Sequence, residues 1–237
     1  MSPLASRTEI LARTLRDAAR DHAPAAFSSS LSAEDMVVTD AILSAGIDIE
    51  IFTLDTGRLH GDTLELIQKI KQRYGYAVRV YTPQADAVAH YIARHGRDGF
   101  YDSPELRREC CHIRKVEPLQ RALAGKGAWV TGLRSVAHAR EAISVRQFDA
   151  AYGLVKVNPL ATWTEEDVWE YVRANDVPCN RLYDQGYRSI GCAPCSRPTT
   201  PGEEVRAGRW WWEQGAVREC GLHVSAEGKL VRTKQTA

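Results

Sequence analysis

Apolar residues along this chain recur with two different periods, and the way the periods alternate predicts its architecture. Residues 9–19 place Ile10, Leu11, Leu15, Ala18 and Ala19 at helical spacing, and Pro24 closes that stretch. Residues 25–27 then read as a short buried strand, followed by apolar-periodic helix over 36–43. A strand at 48–54, a helix at 61–74, a strand at 76–81 with alternating Val78 and Val80, and a helix at 84–94 continue the pattern. Residues 107–123 look helical as far as Pro118. Residues 127–131 form a strand, as do 142–148 and 153–158. Thr164 followed by Asp167 is a capping signature that opens a helix running to Ala174. Strands near 25, 50, 78 and 129 between helical stretches predict an α/β fold with a mostly parallel twisted sheet flanked by helices.

The stretch 178–198 is irregular, and the sequence changes character after it. Residues 1–198 are therefore expected to form the α/β domain, with 199–237 a C-terminal tail. Gly202, Gly208, Gly215 and Gly221 would allow that tail to move.

Composition narrows the classes. The chain has 237 residues, 44% of them hydrophobic, enough for a proper core. A net charge of +1 gives no overall field for nucleic acid. No stretch approaches the roughly 18–20 apolar residues of a membrane helix, and the first residues lack a signal-peptide run. Six cysteines in such a chain read as reduced, metal-binding or catalytic thiols, which points to the cytoplasm.

Four of these cysteines carry the main chemical signal. Cys110 and Cys111 are adjacent, and after 80 intervening residues Cys192 and Cys195 form Gly-Cys-Ala-Pro-Cys. Four thiolates can hold a tetrahedral zinc or an iron–sulfur cluster; unrelated buried thiols are the plainer alternative. Adjacent side chains diverge, so both reach one compact centre only with unusual local geometry. A cluster offers separate iron atoms to separate thiolates, which favours a 4Fe–4S cluster over zinc. Cys179 has no partner at ligand spacing and reads as a structural thiol.

Three further segments carry polar groups at strand ends. Ser28, Ser29, Ser30 and Ser32 lie between a strand and a helix, where free backbone N–H groups and the helix dipole can hold phosphate. A serine-rich helix cap explains the same residues. The Gly and Lys of a triphosphate-binding loop are missing, which disfavours ATPase chemistry. Asp55, Thr56, Gly57, Arg58 and Leu59 follow a strand whose carboxyl end is where open α/β sheets bind ligands. Arg107, Arg108, Arg114, Lys115 and Arg121 surround the tandem cysteines; they could be a solvated face or could offset the negative charge of a thiolate-bound centre.

Taken together, Cys110-Cys111 before Arg114-Lys115, the later Cys192 and Cys195, and Glu219-Cys220-Gly221-Leu222-His223 resemble the assimilatory adenylyl-sulfate reductases of the phosphosulfate reductase family. The resemblance runs from about Phe27 to His223 and implies an adenine-nucleotide α-hydrolase-like fold with a mobile tail. It implies one 4Fe–4S cluster per chain on Cys110, Cys111, Cys192 and Cys195. The serine loop and residues 55–59 match the family's substrate loops, and Lys115 matches the lysine between cluster and substrate. Arg134 falls in the family's Gly-x-Arg, after which Ser135-Val136-Ala137 departs from the usual continuation and leaves Arg140 ambiguous. Arg206 and Arg209 would join Lys115 and Arg134 on the phosphosulfate, with His223 near the substrate.

Cys220 lies outside the four-cysteine set, in the family's Glu-Cys-Gly-Leu-His motif, with Arg218 and His223 near enough to favour its thiolate. The implied reaction reduces adenosine 5′-phosphosulfate to sulfite and AMP through a Cys220 S-sulfonate, with thioredoxin or a similar dithiol as reductant. The 3′-phosphorylated substrate, used by cluster-free relatives, is the close alternative. A non-enzymatic metal-binding module reading a nucleotide or RNA through Arg206, Arg209 and the Trp210–Trp212 run is the other. Neither nucleic acid nor membrane is expected as a partner, and a homo-oligomer is left open.

Overall fold

The computed structural model describes residues 3–135 and 143–213. Helix α1 (Pro3–Asp21) leads through Pro24 into β1 (Ala25–Ser28), then α2 (Ala33–Ser44), β2 (Glu50–Leu54), α3 (Gly61–Tyr74), β3 (Arg79–Tyr81) and α4 (Ala85–His95). α5 (Pro104–Cys111), a π-helical turn (His112–Val116) and α6 (Glu117–Leu123) follow as one path. β4 (Ala128–Val130), β5 (Arg146–Asp149), β6 (Leu154–Val157) and α7 (Glu165–Ala174) complete the set. The sheet has the order β3-β2-β1-β4-β6-β5, parallel except for the β5–β6 hairpin.

Strand alternation divides the core between the two faces of this sheet. Ala25 and Phe27 of β1 point into the larger cluster, with Leu11 and Leu15 of α1, Val37 of α2 and Tyr171 of α7. Ala26, between them, points the other way, toward Phe52, Trp129 and Leu123. Each fully buried Leu, Val or Phe among these stabilises the fold by about 1.5–3 kcal/mol. Because β1, β2 and β4 are parallel neighbours, the loops at their carboxyl ends emerge side by side. Those loops are 29–32, 55–60 and 131–135.

Three expectations shift. α1 extends well beyond 9–19. β3 is shorter than 76–81, because Tyr76 turns its hydroxyl to accept the Ile51 N–H at 2.9 Å instead of continuing the ladder. The helix through the tandem cysteines does not stop at Pro118; proline occupies the first turn of α6, where it costs no hydrogen bond, and the helix runs to Leu123. The capping box on α7 forms as expected, with Thr164 and Asp167 each accepting the other's backbone N–H. No helix among the described residues is long and apolar enough to cross a membrane.

The described start of the expected tail, residues 199–213, is packed against the preceding segment. Residues 199–213 fold back onto the irregular segment: Arg197 N–H donates to the Gly208 carbonyl at 3.0 Å, and Ser196 bridges Arg209. Trp210 is 1% exposed and Glu213 is buried.

Candidate active site at a four-cysteine cavity

The tandem cysteines end α5, and the backbone immediately widens into the π-helical turn His112–Val116. The N–H of Glu117 reaches back five residues to the His112 carbonyl. Single π turns mark functional sites in helices, and this one begins immediately after the two cysteines, which themselves end regular α-helix. It also carries Arg114 and Lys115. Arg114 is buried and its Nη1 donates to the Thr56 carbonyl at 2.7 Å.

The second cysteine pair is held by the loop at the end of β2. Leu59 bridges Cys192, and the Ala193 N–H donates to the Arg58 carbonyl at 2.7 Å. Thr56 Oγ1 lies 3.2 Å from Cys192 Sγ. The segment after Pro198 closes the third side. Arg209 Nε donates to the Cys195 carbonyl at 3.1 Å, and its guanidinium lies against Gly191, where any Cβ would come within 2.3 Å of Nη2. A side chain at position 191 would therefore have to displace the Arg209 guanidinium.

Cys110, Cys111, Cys192 and Cys195 line one cavity, together with Arg58, Phe100, Arg107, Arg114, Lys115, Arg209 and Trp210. The cationic lining separates the thiols electrically. Burial pushes the Cys192 thiol up, but Lys115, the Thr56 hydroxyl, Arg209 and Arg114 outweigh it, and its pKa falls below that of an ordinary thiol. Burial, reinforced by Cys192 and Cys111, pushes Cys195 up to about 12. Burial also raises Cys110, against the pull of Arg114. The indole Nε1 of Trp210 is buried without a hydrogen-bond partner among the described residues. An orphaned donor on a cavity lined by four thiols fits an acceptor placed inside that cavity. No group of three or more His, Cys, Asp or Glu among the described residues meets the requirements of a single-ion site.

Beside this cavity, the serine loop is organised from within. Trp129 Nε1 donates to Ser28 Oγ at 2.7 Å, Leu31 N–H donates to Ser29 Oγ, and Ser32 caps α2 by accepting the Asp35 N–H. Ser30 donates both its N–H and its hydroxyl to Asp35 Oδ2 at 2.6 Å. Leu31 takes the left-handed conformation, with φ of 64°. Asp35 is 6% exposed, and burial pushes its carboxyl up to about 6 although the Ser30 bonds oppose this. Its Oδ1 fills the space where Gly132 would carry a Cβ, only 2.1 Å away. Asp35 thus holds the serine loop by hydrogen bonds and packs closely against the loop after β4.

The expected site residues consequently fall into separate surroundings. Arg58, Lys115 and Arg209 line the cysteine cavity. Arg58 also donates to Asp98, and Asp55 is taken up locally, its Oδ1 accepting the Gly57 N–H. Arg134 donates Nε and Nη2 to Glu34 Oε1 at 3.0 and 2.7 Å, beside a second pocket that includes Trp169, Tyr183 and Arg188. Arg206 is exposed, its guanidinium 5.9 Å from the Trp210 ring. Cys179 is far from charge compensation: burial and Glu34 raise its thiol to about 12. Cys220 and His223, like Arg140, lie outside the described residues. Sequence reasoning missed Phe100, Asp35 and the Arg107–Glu213 pair. Arg107 is hidden within a basic run, and nothing local signals a partner 106 positions away.

The chain matches the model of the phosphoadenosine phosphosulfate reductase domain over residues 24–198. It is 53% identical over 223 residues to an adenosine 5′-phosphosulfate reductase of Burkholderia cepacia, covering 94% of this chain and 89% of that one. It is 56% identical over 198 residues to the enzyme of the same name from Allochromatium vinosum, covering 83% and 77%. Among solved structures it resembles phosphoadenylyl-sulfate reductase from Candida auris in its phosphate complex, with a TM-score of 0.66 at 26% identity, covering 82% of this chain and 97% of that one. Yeast FAD synthetase shares the fold alone, with a TM-score of 0.57 at 16% identity, over 84% of this chain and 69% of that one.

Proposed function

Because this chain belongs to the phosphoadenosine phosphosulfate reductase family, we propose that it reduces adenosine 5′-phosphosulfate to sulfite and AMP in cytoplasmic sulfate assimilation. The observation that carries this reading is the cavity where four thiols meet Arg58, Lys115 and Arg209 at the carboxyl edge of the sheet. Relatives near 50% identity are named for the unphosphorylated substrate, which favours it over the 3′-phosphorylated one.

Cys110, Cys111, Cys192 and Cys195 would hold a 4Fe–4S cluster. The donor set is all sulfur, cations surround it, and the Trp210 indole N–H is available to an acceptor there. A bound cluster would supply a charged centre tying the two cysteine pairs together; both electrons of the reaction come from thiols.

The protein's own groups then act as follows. Lys115 and Arg209, at the cavity, and Arg206 and Arg134, around it, attract and orient the phosphosulfate with charge-assisted bonds. For Arg134 this requires exchanging Glu34 for substrate. The serine loop and residues 55–59 seat the nucleotide. The Cys220 thiolate attacks the sulfuryl sulfur, the S–O bond to phosphate breaks, and AMP leaves with that oxygen. A thioredoxin-type dithiol next attacks Cys220 Sγ and releases sulfite; its second thiol resolves the mixed disulfide, leaving Cys220 reduced and the partner oxidised.

The test is sulfite release from the anaerobically purified protein, with and without thioredoxin, on each of the two candidate substrates. Without thioredoxin, one AMP per chain and one sulfonate on Cys220 are expected. Cys220→Ser should retain iron and bind substrate but yield no sulfite. A sulfonate on another cysteine, or turnover by Cys220→Ser, would overturn the mechanism.

A further inference from the structure

Next to the cysteine cavity the surface carries aromatic rings that neither cavity nor substrate loops use. Trp211 is 39% exposed and Tyr101 is 40% exposed, large values for such side chains. Trp212 lies between them, its ring centroid 5.0 Å from Trp211 and 4.4 Å from Tyr101. The rings are rigidly backed. Trp212 also contacts the buried Phe100 at 6.1 Å, and the Tyr101 hydroxyl donates to the Pro194 carbonyl at 2.8 Å, inside the Cys192–Cys195 turn. The exposed Arg97, Asp98 and Asp102 lie close by in sequence and give the aromatic centre a polar rim. Rigid Trp and Tyr side chains within a polar rim are the composition of a protein-binding surface.

The chain itself indicates the occupant. Glu213 is anchored two residues after Trp211, and Cys220 follows seven residues later, so Cys220 lies within about 25 Å of this anchor. A protein that delivers a thiol to Cys220 therefore approaches within that reach of these rings. We propose that Trp211, with Trp212 and Tyr101 around it, is the docking surface for the dithiol reductant protein, a thioredoxin-type partner. The proposal rests on the reaction given above. Docking holds the partner while its first thiolate attacks Cys220 Sγ, breaking the bond to the sulfonate and expelling sulfite. The partner's second thiol then breaks the mixed disulfide, so the partner leaves oxidised and Cys220 regains its thiolate.

The experiment uses the full cluster-loaded chain with Trp211→Ala and, as a second variant, Trp211→Glu. Thioredoxin-dependent turnover should show KM for thioredoxin raised about tenfold or more, as for a truncated interface tryptophan. Turnover driven by dithiothreitol, the single-turnover sulfonation of Cys220 and the melting temperature should stay at wild-type values. An unchanged KM for thioredoxin in both variants would overturn the proposal. So would an equal loss with dithiothreitol, which would make the rings a seat for the chain's own tail, or a change in oligomeric state, which would make them a contact between copies. Failure of the wild-type protein to form the Cys220 sulfonate would instead count against the underlying reaction, so the two failures are distinguishable.

Discussion

Arg107 and Glu213 form a buried, two-pronged ion pair across 106 positions of sequence, with side-chain exposures of 1% and 7%. Arg107 also stacks 4.8 Å from the Trp210 ring and lies beside Cys111. One pair thus joins the helix of the tandem cysteines to the segment that leads toward Cys220.

Removing one partner of such a pair leaves a buried charge uncompensated, which costs about 3–5 kcal/mol. Glu213→Ala should lower stability by that order in a denaturant titration and reduce iron content. Glu213→Gln, which keeps one acceptor for the guanidinium, should lose less. Equal stability of Glu213→Ala and the parent protein would show that the pair contributes nothing.

Gly132 and Asp35 should behave as a coupled pair. Gly132→Ala forces a Cβ to within 2.1 Å of Asp35 Oδ1 and should displace the serine loop. Overpacking of this kind costs about 1–3 kcal/mol. In an Asp35→Ala background the carboxylate clash is gone and only the backbone N of residue 35 remains close, at 3.2 Å, so the double variant should be more stable than the sum of the single losses predicts. Strict additivity in a double-mutant cycle would rule out the contact.

The Asp35 carboxyl also sets a pH dependence. Burial raises it from an ordinary carboxylate pKa to about 6 in the folded state. Stability from this group is fully present below the ordinary carboxylate pKa and is lost as pH rises through about 6. The full loss, from well below the ordinary carboxylate pKa to pH 8, is roughly 3 kcal/mol. Asp35→Asn should flatten this portion of the stability profile, measured by urea titration at several pH values. An unaltered profile would assign the dependence to other groups.

Replacing Cys110, Cys111, Cys192 or Cys195 singly by Ser should lower iron and the thiolate-to-iron absorbance together. Cys179→Ser should leave both unchanged, since Cys179 packs against the core away from the cavity. Full iron in all four variants would remove the cluster assignment.

Much of this protein was legible in one dimension because its signals are local or repeated. Periods of two and of 3.6 gave the strands and helices, since each reports which face of an element meets the core. The capping box of α7 was readable because both partners lie within four residues. The four cysteines were readable as a set because few other arrangements use sulfur at that spacing. Their adjacency suggested unusual backbone; the two cysteines end regular α-helix, and a π turn follows them at His112–Val116.

The tertiary structure decided what depends on pairings distant in sequence. Which groups hold the serine loop in place, whether it serves as phosphate seat, helix cap or both, is set by the fold: Trp129, Asp35 and the start of α2. Arg107 belonged to a run that reads as solvated, and only chain folding brings Glu213 to it. Arg58 and Arg209 reach the cysteine cavity because the loop after β2 and the segment after Pro198 both pair with the Cys192–Cys195 turn. Residues 199–213 pack back onto the irregular segment for the same reason. Glycine and tryptophan content describes local freedom and bulk, whereas the burial of Trp210 depends on a surface built by helices a hundred residues earlier.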